Sequence, residues 1–294
     1  MAEPLHLVET HEEPDWPADA DIREDFGHIV SLDVGQQQDY SALAVLQRWI
    51  SSRYTTEDGT PVAVEQRELW RAAQRASEDA RLDSRLGLTR HRVTSYGLVH
   101  IERLPLGTPF PRVVERVRRL MVHPTLQGRP PRPGQRGRPD PVLVYDATGG
   151  IGGMRDMFAQ AGFPPGRRVW PVTIHGGNAV SFSQGFHRCP KRDLARLLAI
   201  LLETPINRSR RLAFARRLPG LETLVGELKS FRVKINLATG HESFEAWRER
   251  DHDDEVLAVA LGCWVGERLA RDPVGPYTMV PIGAGIFASA SKAP

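Results

Sequence analysis

Short apolar runs alternate with stretches of helical spacing along most of the chain. Residues 28–34, HIVSLDV, form a near-continuous apolar run, which is typical of a strand buried on both faces. Residues 41–50, SALAVLQRWI, predict a second strand, and the short polar link between these runs indicates an antiparallel hairpin. Residues 92–106 predict a third strand, and PVLVYD at 141–146 predicts a fourth.

The rest of the pattern predicts several helices and two more strands. Apolar positions at helical spacing follow Pro109 and Pro111, and similar spacing recurs towards the C-terminal end. The predicted helices cover residues 113–122, 154–162, 190–203, 221–231 and 252–270, and the added strands cover 167–174 and 232–237. This order predicts an α/β fold with a mixed sheet, an antiparallel meander at one end and parallel strands at the other.

Composition changes along the chain and suggests three segments. Residues 1–27 read as an acidic, flexible N-terminal arm, and residues 272–294 read as a peripheral tail rich in small residues. The folded domain is expected at 28–271, with a charged helical insertion at about 65–90 and an Arg/Pro-rich loop at 123–140.

The overall composition excludes several protein classes. The chain has 294 residues, of which 40% are hydrophobic and 26% charged, with a mean hydropathy of −0.36, which argues against disorder and against a membrane protein. The acidic, proline-containing N-terminus resembles neither a signal nor a transit peptide, so a cytoplasmic protein is expected. Two cysteines are too few for a disulfide framework and lack zinc-site spacing.

Charge is unevenly distributed, and arginine dominates the cations. The first 25 residues hold nine acids and one arginine, whereas 35 of the 39 cations in the chain are arginine, whose fork of donors matches phosphate. A coding bias of a GC-rich genome explains this composition equally well. Arg129 and Arg132 in the 123–140 loop and Arg210 and Arg211 in RSRRLAFARR are candidate contacts to a DNA backbone, with a solvated linker as the alternative for the loop.

Acidic residues stand where predicted elements end or begin. Asp33 closes the first strand, Asp146 closes the fourth, and Asp253 and Asp254 open the last helix. If the first and fourth strands are neighbours, Asp33 and Asp146 lie side by side and repel each other unless a cation binds. Mg²⁺ or Mn²⁺ prefers such oxygen ligands, and two ions ~3.5–4 Å apart would clamp the attacking and leaving oxygens of a phosphodiester.

Each acid also has an ordinary explanation. Asp33 could stabilise a turn, Asp146 could accept hydrogen bonds from the amides of ATGG, and Asp253 could cap a helix. The coincidence of three element termini with an acidic doublet favours the metal site. His252 could be a ligand, but the expectation is that it orients one of the acids.

Three motifs in order carry a family resemblance. LDVGQQQDYSALAVL, VYDATGGIGG and HDDEVLAVALGCW, with PKRDL and LVGELKSF between the last two, resemble the nuclease domain of the large terminase subunit of tailed phages over roughly residues 28–270. The resemblance implies a ribonuclease H-like fold and metal-dependent endonuclease activity, with hydrolysis of DNA by two Mg²⁺ or Mn²⁺ ions during genome packaging. By this resemblance the site comprises Asp33 and Asp146 as ligands, Asp253 or Asp254 as the third, Asp39 at the rim, and Lys191 near a phosphate.

One departure from that family concerns the motor. A complete large terminase also carries an ATPase with a P-loop, but none of the four lysines here follows a glycine. The chain is therefore expected to be a nuclease that works with a separate ATPase, a free-standing relative, or a remnant. The expected partner is double-stranded DNA, and in the first case the resemblance adds a packaging ATPase and portal in the cytoplasm of a bacterial host carrying a phage or prophage. No membrane partner is expected.

Two other functions compete with the nuclease. An actin-like or sugar-kinase-like ATPase also has a ribonuclease H-like core, and DVGQQQDYSAL and DATGGIGG could serve as its phosphate loops. A catalytically silent DNA-binding module would explain the arginine patches, because such patches bind phosphate without regard to sequence.

Overall fold

The protein is described by a computed structural model. The described residues are 22–35, 39–60, 87–130, 138–149, 152–163, 168–203, 205–206, 209–215, 217–231 and 253–269. Most of the predicted helical insertion, the strand predicted at 232–237, and the tail lie outside these ranges, as do His252 and Arg132.

The secondary structure of the described residues follows the predicted order, with five additional short strands between residues 181 and 214 that the sequence pattern did not predict. The strands are β1 (Ile22–Asp33), β2 (Ala42–Thr56), β3 (Leu88–Arg103), β4 (Val142–Asp146), β5 (Val169–His175), β6 (Ser181–Ser183), β7 (Phe186–Pro190), β8 (Pro205–Ile206), β9 (Ser209–Arg210) and β10 (Leu212–Phe214). The helices are α1 (Phe110–Met121), α2 (Gly152–Gln160), α3 (Lys191–Glu203), α4 (Leu221–Ser230) and α5 (Asp254–Leu269).

Eight strands form one mixed sheet in the order β10-β3-β2-β1-β4-β5-β7-β6, and β8 pairs with β9 separately. β1, β2 and β3 form the predicted antiparallel meander, whereas β4 pairs parallel to β1 and is followed by parallel β5 and β7. The predicted α/β fold, with a mixed sheet flanked by helices, is confirmed.

The two faces of the sheet are covered by different helices. Ile29 of β1 belongs to the core formed with α3, α4 and α5, whereas Val30 and Leu32 belong to the core formed with α1 and α2. Successive strand residues point to opposite faces, so Asp33 falls on the same face as Ile29. Because α5 crosses that face, almost every residue in it is buried.

The first strand begins earlier than predicted. β1 starts at Ile22, whose Cα pairs with Ser52, so six residues of the predicted 1–27 arm belong to the sheet. A register shift between Asp25 and His28 coincides with Gly27, whose φ of 81° favours glycine. Among the described residues, no helix has the length and apolar character needed to cross a bilayer.

Candidate functional site

Asp33 and Asp146 end neighbouring parallel strands on the same face of the sheet. The register that pairs Leu32 with Tyr145 makes them the next residues on β1 and β4, on strands about 4.8 Å apart. Val142 and Val144 of β4 share the α5 face with Ile29 of β1, and the alternation carries Asp146 onto that face as well. The adjacency of these two strands entered the prediction only as a condition, and the structure fulfils that condition.

A glycine allows the chain to leave β1 sharply after Asp33. A Cβ atom at Gly35 would lie 2.2 Å from the carbonyl oxygen of Asp39, so only glycine fits this approach. The Gly35 N–H donates to Ser41 Oγ at 3.1 Å, which closes the turn into β2. Asp39 is exposed and lines a cavity of about 180 Å³ together with Gly35, Ser41 and the 105–110 segment.

The acidic doublet enters the same neighbourhood from α5. Asp254 is buried at the first turn of the helix, and the half-buried Asp253 precedes it. Lys191, the first residue of α3, places Nζ 3.1 Å from Asp253 Oδ2. β7 ends at Pro190 and α3 begins at the next residue, so Lys191 lies at the carboxyl edge of the parallel strands.

The electrostatics show that these groups face one another. Asp33 is buried, with 6% of its surface exposed. Burial, followed by the negative charges of Asp146, Asp254 and Asp253, raises the pKa of Asp33 well above its usual value, and Lys191 lowers it. Three other carboxylates and one lysine therefore lie close enough to Asp33 to shift its pKa.

The donor set fits a hard divalent cation in chemistry and charge. Carboxylate oxygens are the ligands that Mg²⁺ and Mn²⁺ prefer, and a cation would relieve the repulsion around Asp33. Within the described ranges, no group of three or more His, Cys, Asp or Glu side chains is arranged to hold a metal ion. Side-chain rotation would have to bring the oxygens together.

Asp146 also stabilises the turn that follows β4. Its Oδ1 accepts hydrogen bonds from the Thr148 N–H at 2.8 Å and from the Thr148 hydroxyl. The hydroxyl oxygen in turn accepts from the Ile174 N–H at 2.7 Å. Hydrogen bonding to the turn, the ordinary explanation of Asp146, thus accounts for Oδ1. These hydrogen bonds hold the side chain at the edge of the sheet.

Comparisons with known proteins give no family and a distant structural similarity. No protein-family model matches the chain, and no curated protein matches it. A solved structure of the large terminase nuclease from thermophilic phage G20c is 16% identical, with 82% of this chain and 86% of that chain covered and a TM-score of 0.38. At this TM-score and identity the likeness supports no conclusion about this chain.

The structure does not bring the described candidate arginines to the carboxylates. Arg129 forms a β-bridge with Arg138, which precedes the amino end of β4, whereas Asp146 ends that strand about 13 Å further along it. The Arg211 guanidinium donates to Thr94 O and to Glu267 Oε1 at the far end of α5, about 20 Å along the helix from Asp254.

The remaining predicted residues are only partly described. Arg210 lies in β9, where only its backbone is described, and Arg132 and His252 fall outside the described ranges. Their assigned roles stay predictions.

Sequence reasoning missed an ion-pair network behind the doublet. Arg103, the last residue of β3, forms a short hydrogen-bonded ion pair with Glu227 of α4, and its Nε lies 3.9 Å from Asp254 Oδ2. Burial raises the pKa of the adjacent Glu255 to about 7, the Arg103 charge lowers it, and Asp254 raises it. The available signal was alternation, because Arg103 occupies an inward position two residues after buried Ile101.

Proposed function

We propose that the chain is a metal-dependent endonuclease that hydrolyses phosphodiester bonds in double-stranded DNA. The observation that supports this most directly is the convergence of carboxylates from β1, β4 and α5 on Asp33, with Lys191 beside them. Acids far apart in sequence rarely gather at the carboxyl edge of a sheet without a ligand to bind, because each raises the cost of ionising the others.

Each residue has a defined part in this proposal. Asp33 and Asp146 would hold Mg²⁺ or Mn²⁺, with Asp253 or Asp254 as the third carboxylate. Bound metal ions would polarise the phosphate and stabilise the charge that develops on it. Lys191 would contact a phosphate oxygen when Asp253 turns to the metal, since its ammonium already lies at that edge. Asp39 would lie at the rim.

The biological setting follows from the sequence resemblance. A terminase-like role would have this nuclease cut phage or prophage DNA in a bacterial cell, beside a separate packaging ATPase and portal. The geometry favours Lys191 over Arg129 for contacts near the scissile phosphate, because Arg129 lies at the opposite edge of the sheet.

Nicking of supercoiled plasmid tests the proposal. Wild-type protein with Mn²⁺ or Mg²⁺ should nick the plasmid, and chelation by EDTA should stop it. Asp146→Asn should reduce the rate at least ~100-fold, since even residues that only support metal ligands contribute 10–100-fold. The asparagine Oδ1 can still accept from Thr148, so the fold should persist, as judged by circular dichroism.

The control is Asp156→Asn, an exposed acid in α2 that should leave nicking unchanged. Equal nicking by the wild type and by Asp146→Asn would show that the assigned site is wrong. Protein that binds DNA without any metal-dependent nicking would favour the silent DNA-binding module.

A further inference from the structure

Arg103 lies in line with Asp33 across three strands. Asp33 pairs with Ala42 on β2, and Ala42 pairs with Arg103 on β3, so these three side chains share one face of the sheet. The Cα atoms of Arg103 and Asp33 are therefore about 10 Å apart, two strand spacings. Because the strand order is β3-β2-β1-β4, Arg103 and Asp146 lie on opposite sides of Asp33, and the Arg103 guanidinium approaches Asp254 from the β3 side.

Arg103 and Glu227 together hold the first turn of α5. Glu227 Oε1 accepts a hydrogen bond from the Arg103 guanidinium, and Glu227 Oε2 accepts one from the Val256 N–H at 3.0 Å. Val256 is the third residue of α5, where backbone N–H groups have no partner within the helix. A carboxylate at this position also interacts favourably with the helix dipole.

Because the acids around Arg103 are buried, this arrangement depends on the positive charge of Arg103 as well as on the carboxylates of Glu227 and Asp254. The Glu227 and Asp254 side chains are only 5% and 7% exposed, and the Arg103 side chain is 22% exposed. Two buried carboxylates approach each other closely only when a cation lies between them, and removing one partner of such a group is costly.

Arg103 also reaches the loop that carries the rim acid. Its guanidinium lies over the Tyr40 ring, 5.0 Å from the centroid, and Tyr40 directly follows Asp39. One side chain thus contacts both the β1–β2 loop and the helix that presents the doublet.

We infer that Arg103 is a positioning residue that sets the orientation of the Asp253–Asp254 doublet for metal binding, acting through Glu227 and the first turn of α5. The inference rests on the proposed function, since the metal is what the doublet is positioned for. It predicts that loss of Arg103 loosens the start of α5 and weakens metal binding without altering any ligand.

The test compares Arg103→Gln, Arg103→Lys and Glu227→Gln with wild type. The first readout is the Mn²⁺ concentration that gives half of the maximal rise in Tm, and the second is hydrogen exchange of the amides at 254–258 without metal. Arg103→Gln should raise the half-maximal Mn²⁺ concentration roughly 10-fold or more and speed exchange in this turn. Arg103→Lys should recover part of both effects, because it keeps the charge without the fork.

Arg116→Gln is the matched control. Arg116 pairs with Glu102 at 2.9 Å and its side chain is 14% exposed, but this pair links β3 to α1 rather than to α5. The control should lower Tm while leaving both readouts at wild-type values. The double variant Arg103→Gln/Glu227→Gln should be no worse in Mn²⁺ response than Arg103→Gln alone if the two residues act together.

The outcomes separate the inference from the proposed function. If wild type responds to Mn²⁺ and Arg103→Gln gives the same half-maximal concentration and exchange, the inference is overturned and the nuclease proposal stands. If wild type shows neither a Mn²⁺ response nor nicking, the proposed function falls and the inference falls with it. Should Arg103→Gln fail to fold, Arg103→Lys and Glu227→Gln decide by the same two readouts.

Discussion

Replacing Asp33 by asparagine should make the metal-free protein more stable and remove its response to metal. The substitution removes a buried charge that Asp146, Asp254 and Asp253 repel. Two carboxylates about 5 Å apart on adjacent strands repel by about 3 kcal/mol at an effective dielectric constant of 20. The Lys191 charge offsets part of this repulsion, so we expect a gain of roughly 1–3 kcal/mol.

The assay is thermal unfolding with and without Mn²⁺, followed by circular dichroism. For a domain of this size, a gain of 1–3 kcal/mol corresponds to roughly 2–12 °C in Tm. Mn²⁺ at a free concentration 100-fold above its Kd should stabilise wild type by about 2.7 kcal/mol, and Asp33→Asn should gain far less. The Tm of the variant should therefore be higher than that of wild type in EDTA, and this difference should disappear in Mn²⁺.

Asp156→Asn is again the control, because this exposed acid should change neither Tm value appreciably. A metal-free Asp33→Asn protein less stable than wild type would refute the view that repelled carboxylates surround Asp33. An equal rise in Tm with Mn²⁺ in both proteins would show that the ion binds elsewhere.

Two further predictions concern the structure around the site. Burial lowers the pKa of His187 to about 4, so the unfolded state binds the proton first as pH falls. The free energy of unfolding of wild type should therefore fall by about 2 kcal/mol between pH 7 and pH 5 through this residue. His187→Phe retains the stack on Trp170 and should lack this loss when urea unfolding is measured at both pH values. Gly266→Ala should lower the free energy of unfolding by about 1–3 kcal/mol, because its Cβ would lie 2.5 Å from the Tyr96 ring. Gly226 in α4 is exposed and a Cβ there would meet nothing within 4 Å, so Gly226→Ala should stabilise the protein by up to about 1 kcal/mol. Unfolding curves that rank these two variants the other way would contradict the packing of α5.

The strands that end in acids were predictable because their signal is local. HIVSLD and VLVYD are apolar runs ended by a charge, and alternation within each run fixes which face Asp33 and Asp146 occupy. Their adjacency depends on β4 pairing with β1 rather than with β3, which is a tertiary fact that the sequence predicts only conditionally. β6 and β7 were missed because β6 has three residues and the exposed Arg188 interrupts β7.

The arginine candidates show why composition misleads about position. The 123–140 loop joins the end of α1 to the start of β4, and a connection that enters a parallel strand lies at the edge opposite the carboxyl ends. Arginine density therefore could not place Arg129 beside Asp146, although connectivity could have excluded it. Alternation places Arg103 on the inward face of β3, but its ion pair with Glu227 forms only when β3 and α4 pack against α5.

The described part of the turn after β4 favours the proposed nuclease over a nucleotide-binding ATPase. A phosphate loop directs successive backbone N–H groups at the anion. Here the Ala147 N–H donates to Val172 O, and the Thr148 N–H donates to the Asp146 carboxylate, so both amides are already used within the protein. The neighbouring carboxylates would also repel the phosphates of a nucleotide. A turn whose two amides are used within the protein, beside carboxylates that repel one another around Asp33, favours a bound cation over a bound phosphate, as the proposed metal-dependent nuclease would require.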